Sequence, residues 1–170
     1  DDPDQAGLIE RICALYPHAP VIKRLDLPHN RIQVAGGDLL TQHYHGKKTL
    51  VFGIHRSAVR YGDEDGNACP NYWHLSPYGF CPYDCQYCYL AGTPGVKYSP
   101  AVKIFTNLGD ILAKIEETAA KLSGPTAFYL GKLQDGLALD PLTGYSRVLV
   151  PFFARQPYAR LILLTKSANV

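Results

Sequence analysis

An α/β fold, with helices crossing over between mostly parallel strands, is what this 170-residue sequence predicts. Three observations carry that prediction. From Asn71 onward strand-like and helix-like stretches alternate, the order of a sheet built from right-handed crossovers. Asn107 to Leu122 repeats Ile111, Ile115, Ala119 and Leu122 at helical spacing. Thr126 to Leu130 and the run Leu161-Ile162-Leu163-Leu164 are nearly continuous apolar stretches, the composition of strands covered on both faces.

In chain order, Leu8, Ile9, Ile12 and Leu15 predict a short helix from Asp4 to about Tyr16, ended by Pro17, with Cys13 on or near its buried face. Pro20 to Leu27 reads as a strand through Val21, Ile22 and Leu25, and Gly36-Gly37-Asp38 as a turn. His43-Tyr44-His45 reads as an extended segment with two imidazoles on one side; with no further ligand close in sequence, polar surface accounts for the pair better than a metal does. Thr49 to His55 is rich in β-branched and aromatic residues and predicts a strand. Gly62 to Asn67 is a polar turn whose spacing and missing terminal glutamate do not match a calcium loop. Asn71 to Pro77 predicts a strand, Gly92-Thr93-Pro94-Gly95 a turn, and Val102 to Thr106 a strand.

The helix at Asn107 to Leu122 carries Asp110 near its positive end and a Glu117/Lys121 pair, and Gly124-Pro125 stops it. After the strand at Thr126 to Leu130, Pro141 to Arg155 is helical with a break or kink at Pro151, and Arg160 to Thr165 is a fully buried strand. Asp140, just before Pro141, reads as a helix cap rather than a catalytic acid.

Composition fits an ordered globular chain, with 46% apolar, 19% charged and 11% aromatic residues. A net charge of +2 gives no general argument for nucleic acid. Up to Gly92 there are 8 basic and 10 acidic residues and from Thr93 onward 9 and 5, a mildly basic second part that a solvated surface explains as well as a phosphate-binding groove. No stretch is apolar enough for a membrane span, and the start Asp1-Asp2-Pro3-Asp4 is unlike a signal peptide, so a cytoplasmic protein with reduced thiols is expected. The lack of an initiator Met and the stop at Val170, a few residues past an apolar strand, predict a truncated chain.

The chemistry is concentrated in Cys81-Pro82-Tyr83-Asp84-Cys85-Gln86-Tyr87-Cys88-Tyr89-Leu90, a C-x3-C-x2-C run. Three thiolates on one short loop can each meet a different iron of a 4Fe-4S cluster, leaving one iron open to a small molecule. A structural zinc site needs a fourth ligand, and Cys69, His74 and Cys13 all lack paired spacing with the run. A disulfide framework leaves one of five cysteines over, and a chain of this length buries a core without one. Three unrelated core cysteines this close together would be a coincidence.

The run, with Tyr87 before its last cysteine, resembles the cluster motif of radical S-adenosylmethionine (SAM) enzymes, and Tyr87-Cys88-Tyr89-Leu90 is similar to the spore photoproduct lyase branch. Lys48 to Gly53, Phe128 to Asp140 and Thr165-Lys166 extend the likeness over most of the chain after His29. The resemblance implies the first half of a partial (β/α) barrel over 71–170, preceded by a small α/β region over 1–70. It implies a 4Fe-4S cluster on Cys81, Cys85 and Cys88, SAM on the open iron, and reductive cleavage of SAM to a 5′-deoxyadenosyl radical. Tyr87 then lies against the adenine or packs behind the cluster, Lys166 meets the SAM carboxylate or snorkels from the sheet end, and Tyr89, Lys132 and Gln134 join the cofactor site.

One position departs from the family pattern. Lys132 stands where lyases have a cysteine that returns a hydrogen atom to the product radical, an ammonium cannot do so, and no cysteine lies between Cys88 and Val170. Tyr89 could substitute only through a tyrosyl radical. Asp135 and Asp140 match polar positions of the family. A nucleic-acid lesion, DNA above all, is the implied substrate and a flavodoxin- or ferredoxin-type protein the implied electron donor. The rivals are radical modification of a peptide or metabolite, an iron-sulfur redox sensor or structural protein without turnover, and a zinc-stabilised nucleic-acid-binding module.

Overall fold

The structure, a computed structural model, describes residues 3–62, 72–88, 100–131 and 134–168. Helix α1 (Pro3–Leu15) buries Leu8 and Ile12, the two residues one turn apart on its inner face, while Cys13 beside them is half-buried and free. The strand expected at Pro20 to Leu27 does not form: Val21, Ile22 and Leu25 are 73%, 77% and 86% exposed. Among the described residues no strand pairs with that stretch. Instead the chain bends so that the Arg24 guanidinium grips both oxygens of Asp26, at 2.9 and 2.8 Å.

The extended reading of His43-Tyr44-His45 is also overturned, because these residues lie in helix α2 (Leu39–Lys47). Asp38 caps that helix, accepting from the Thr41 N–H at 2.9 Å and the Thr41 hydroxyl at 2.6 Å. Residues two apart diverge on a helix. His45 Nδ1 accordingly contacts the Ala35 carbonyl at 2.7 Å while His43 turns toward the cysteine loop.

The expected strands at 49–55, 71–77, 102–106 and 126–130 appear as β1 (Leu50–Gly53), β3 (Tyr72–Leu75), β5 (Val102–Phe105) and β6 (Thr126–Leu130). Two short strands, β2 (Val59–Tyr61) and β4 (Tyr78–Gly79), and a last one, β7 (Ala159–Leu163), complete two sheets. One sheet runs β2-β3-β6-β7, with β3, β6 and β7 parallel and β2 antiparallel at the edge. The other runs β1-β5-β4, with β1 parallel and β4 antiparallel to β5. Each sheet therefore takes strands from both sides of residue 70. The turns at 63–67 and 92–95 lie outside the described residues.

Helix α3 (Leu108–Ala119) links β5 of one sheet to β6 of the other, burying Ile111, Ile115 and Ala119 as its spacing predicts, and Glu117 pairs with Lys121 and Lys114 at 2.7 Å each. Trp73 stacks on Phe128, whose edge meets Phe153, so one face of the four-stranded sheet packs under the helices. The helical break expected at Pro151 lies earlier. Gly144, at φ +65°, separates α4 (Asp140–Thr143) from α5 (Ser146–Ala154), and Pro151 continues inside α5. Asp140 is a cap, but of the second helix: its carboxylate accepts from the Ser146 N–H at 2.7 Å and the Ser146 hydroxyl at 2.6 Å. Among the described residues strand β7, expected fully buried, pairs with β6 alone; Leu163 at its end is 38% exposed and Leu164, just past it, 63%.

Candidate functional site

The parallel strands β3, β6 and β7 end on one rim, and the loops that follow them carry most of the residues singled out in the sequence. Strand β3 leads through Ser76-Pro77 into β4 and then the cysteine loop. The phenol of Tyr78 is buried, bonded to the Thr143 hydroxyl at 2.6 Å and stacked on Tyr145, whose own hydroxyl donates to the Phe105 carbonyl at 2.8 Å. Burial pushes the Tyr78 phenol far above its usual range and that of Tyr145 up to about 12, so both stay neutral and structural. They fix the backbone that delivers the loop.

Cys81, Cys85 and Cys88 are free and half-buried, and the Cys88 N–H donates to the Cys85 carbonyl at 2.9 Å, setting the last two on one turn. Phe80, just before them, has φ +59°, a left-handed conformation that is an outlier for a bulky residue. Behind the loop stands α2. Lys47 Nζ donates to the carbonyls of Cys81 at 2.5 Å and Tyr83 at 2.7 Å and lies 4.5 Å over the Phe80 ring. His43 meets the Phe80 ring edge-on, with its Nε2 3.6 Å from Asp84.

The other two rim loops are tied to this one and to each other. Gly131, at φ +87°, donates its N–H to the Leu75 carbonyl at 2.7 Å, and Gln134 Nε2 donates to the Tyr78 carbonyl at 2.8 Å. Asp135 accepts from the Thr165 hydroxyl at 2.7 Å, the Lys166 N–H at 2.5 Å and the Leu137 N–H at 3.0 Å. Gln134 and Lys166 thus lie on this rim, Gln134 with its amide nitrogen engaged by the backbone and Lys166 with an exposed side chain. Tyr87 is 76% exposed. Tyr89, Lys132 and Cys69 lie outside the described residues.

The donor set suits an iron-sulfur cluster. Three unpaired thiols on one loop are the soft ligands such a cluster takes, and it spreads them over separate irons. A structural zinc needs four ligands about one centre; among the described residues no three His, Cys, Asp or Glu side chains, the three cysteines included, are gathered about one point, so it is the C-x3-C-x2-C spacing that favours the cluster. Of the zinc candidates, Cys13 is on α1 and His74 in β3. Among the described residues neither His74 ring nitrogen has a hydrogen-bond partner, and burial, with the Arg60 charge second, holds that imidazole below its usual pKa.

Sequence reasoning missed Lys47, His43 and the junction role of Asp135. The signal for the first two was Asp38-x-x-Thr41, a cap that turns the following histidines into a helix. For Asp135 there was no local signal, since two of its partners are 30 and 31 residues away.

The architecture is the first half of a partial (β/α) barrel of the radical SAM kind, with a cysteine loop at the carboxyl end of its first parallel strand. A model of the spore photoproduct lyase family matches residues 6–170, and the chain belongs to that family. The spore photoproduct lyase of Clostridium acetobutylicum is 31% identical over 141 residues, which cover 81% of this chain and 39% of that relative. Among solved structures, a spore photoproduct lyase variant with bound AdoMet and dinucleoside spore photoproduct superposes with TM-score 0.73 at 23% identity, covering 94% of this chain and 46% of the other. A tyrosine-to-phenylalanine variant of spore photoproduct lyase gives TM-score 0.78 at 23% identity, covering 99% and 49%. The chain thus spans less than half the length of each of these relatives.

Proposed function

We propose that this chain is the cluster-bearing part of a radical SAM enzyme of the spore photoproduct lyase kind, holding a 4Fe-4S cluster on Cys81, Cys85 and Cys88 with SAM beside it. The supporting observation is three free, half-buried thiols on one loop beside a rim that Gln134 and Asp135 tie together. Such a cluster, when bound and reduced, supplies the electron that cleaves SAM to a 5′-deoxyadenosyl radical able to take hydrogen from a substrate.

The chain's own residues then bind and orient. Tyr87 offers an open ring and backbone to the adenine, with Tyr89 assigned beside it by the family resemblance. Lys166 meets the SAM carboxylate, its starting point set by the bond from its N–H to Asp135. Gln134 holds the strand entering the cysteine loop, and Lys132 is assigned to the cofactor side by the family resemblance. Because a lysine ammonium has no weakly held hydrogen atom, hydrogen return to a product radical falls to another group. A lesion in nucleic acid is the proposed substrate, on the strength of the dinucleoside photoproduct in a solved relative. A flavodoxin- or ferredoxin-type donor and a cytoplasmic setting complete the reading, with residues 71–170 as the SAM domain and 1–70 as its N-terminal addition. Among the described residues no helix is long and apolar enough to cross a membrane.

The test is anaerobic iron-sulfur reconstitution of the full-length protein, then dithionite and SAM, with chromatography for 5′-deoxyadenosine beside a Cys85→Ala control. Product from the parent protein alone is the expected result. A four-iron cluster that never cleaves SAM points to a sensor or structural role, and zinc with a fourth protein ligand refutes the open-iron reading.

A further inference from the structure

We propose that Lys47 is the positioning residue of the cysteine loop: its ammonium pins the Cys81 and Tyr83 carbonyls and sets a positive charge against the backbone that carries the first of the three thiols. The inference deepens the proposed function and rests on it for the cluster, though not for the pinning itself.

Four observations bear on it. The ammonium spends two of its three donors on carbonyls two residues apart, which bends the first half of the loop around one point. It also covers the face of Phe80 while His43 closes on that ring's edge. Phe80 sits in the left-handed region immediately before Cys81, and such a conformation persists only where its surroundings over-determine it. The helix that presents Lys47 is itself seated hard: a Cβ at Gly46 would lie 2.2 Å from the Pro100 carbonyl oxygen, so α2 has its backbone against Pro100.

The neighbouring lysine supplies a comparison. Lys48 turns outward and covers the exposed Tyr44 ring at 4.0 Å, so two consecutive lysines of one charge have separate roles. Among the described residues no carboxylate is in ion-pair contact with Lys47. Its charge is therefore free to act on what the loop carries. A cation next to a thiolate-ligated cluster favours the more negative, reduced state, because net charge and hydrogen bonding around the sulfurs set the potential.

The experiment compares the parent protein with Lys47→Met, Lys47→Arg and Lys48→Met. Three measurements are made: amide hydrogen exchange of residues 81–88 in the metal-free chain, iron per chain after anaerobic reconstitution, and the midpoint potential of the cluster. For Lys47→Met the expected result is roughly tenfold faster loop exchange, the scale for losing a charge-assisted contact, with lower iron retention and a more negative potential. Lys47→Arg should restore exchange and potential, and Lys48→Met should match the parent. Unchanged exchange and potential in Lys47→Met overturn the proposal, as does an equal change in Lys48→Met. If the parent protein takes up no iron, the cluster reading fails and the charge role with it, while the exchange comparison still decides the pinning. Should Lys47→Met not fold, Lys47→Gln keeps a donor without the charge; a more negative potential with near-parent exchange supports the proposal, and an unchanged potential overturns it.

Discussion

Asp135 is the residue through which the loops after β6 and β7 hold each other, and replacing it with asparagine isolates that role. One carboxylate oxygen accepts from the Thr165 hydroxyl and the Leu137 N–H, the other from the Lys166 N–H. An asparagine has the same shape but one acceptor fewer. Whichever way its amide points, an NH2 faces a backbone N–H, because Leu137 and Lys166 donate to different oxygens. The Thr165 hydroxyl can rotate to accept, but a backbone N–H cannot. Charge-assisted bonds of this kind are worth about 1.5 to 3 kcal/mol each, and water at the exposed Thr165 and Lys166 reduces that. We therefore expect Asp135→Asn to cost about 1.5 kcal/mol, which for a chain of this size is a melting-temperature drop of about 3 to 6 °C. Thr165→Val removes two bonds, the one its hydroxyl donates to Asp135 and the one it accepts from the Ser167 N–H at 2.8 Å, and should cost about 1 to 1.5 kcal/mol at this exposed position. Urea titration of both single variants and the double variant gives the coupling. An Asp135→Asn melting within about 1 °C of the parent protein would refute the junction.

Two other perturbations read the packing around the site. Lys103 is 7% exposed in β5, and burial lowers its pKa to about 8 from 10.5. Between pH 8 and pH 10.5 the unfolded lysine keeps a proton that the folded one has lost, so stability rises with pH across that window. The gain relative to Lys103→Met should reach no more than about 3 kcal/mol, and denaturant titrations at pH 7 and pH 10 showing no relative change would count against it. Gly46→Ala sets a helix-propensity gain of about 1 kcal/mol against a methyl pressed onto the backbone of Pro100, a clash of about 1 to 3 kcal/mol. The clash should win, lowering the melting temperature and speeding exchange in residues 81–88; a stabilised variant would show that α2 is free to move.

Much of the fold was legible in the residues. Ile111, Ile115 and Ala119 face inward at their predicted spacing, and Thr126 to Leu130 is a strand. These features depend on neighbours within a few positions, where periodicity, caps and breakers act. Val21, Ile22 and Leu25 have strand-like residue types yet form none, because a strand also needs a partner edge, which composition does not encode. Gly144 rather than Pro151 divides the second helical segment, since the chain had to turn at a left-handed residue while the proline was accommodated within α5. Among the described residues β7 pairs with β6 alone, and burial of Leu163 depends on which strand lies beside it, which hydropathy does not encode.

The sequence by itself determined the donor chemistry: three thiols at C-x3-C-x2-C spacing and the strand–helix alternation that places a loop at the end of a strand. Only the tertiary structure decided what holds that loop. Lys47 reaches Cys81 across 34 positions and Gln134 reaches Tyr78 across 56, and contacts at such separations are set by the closing of sheets and helices around a common core, which no local pattern specifies.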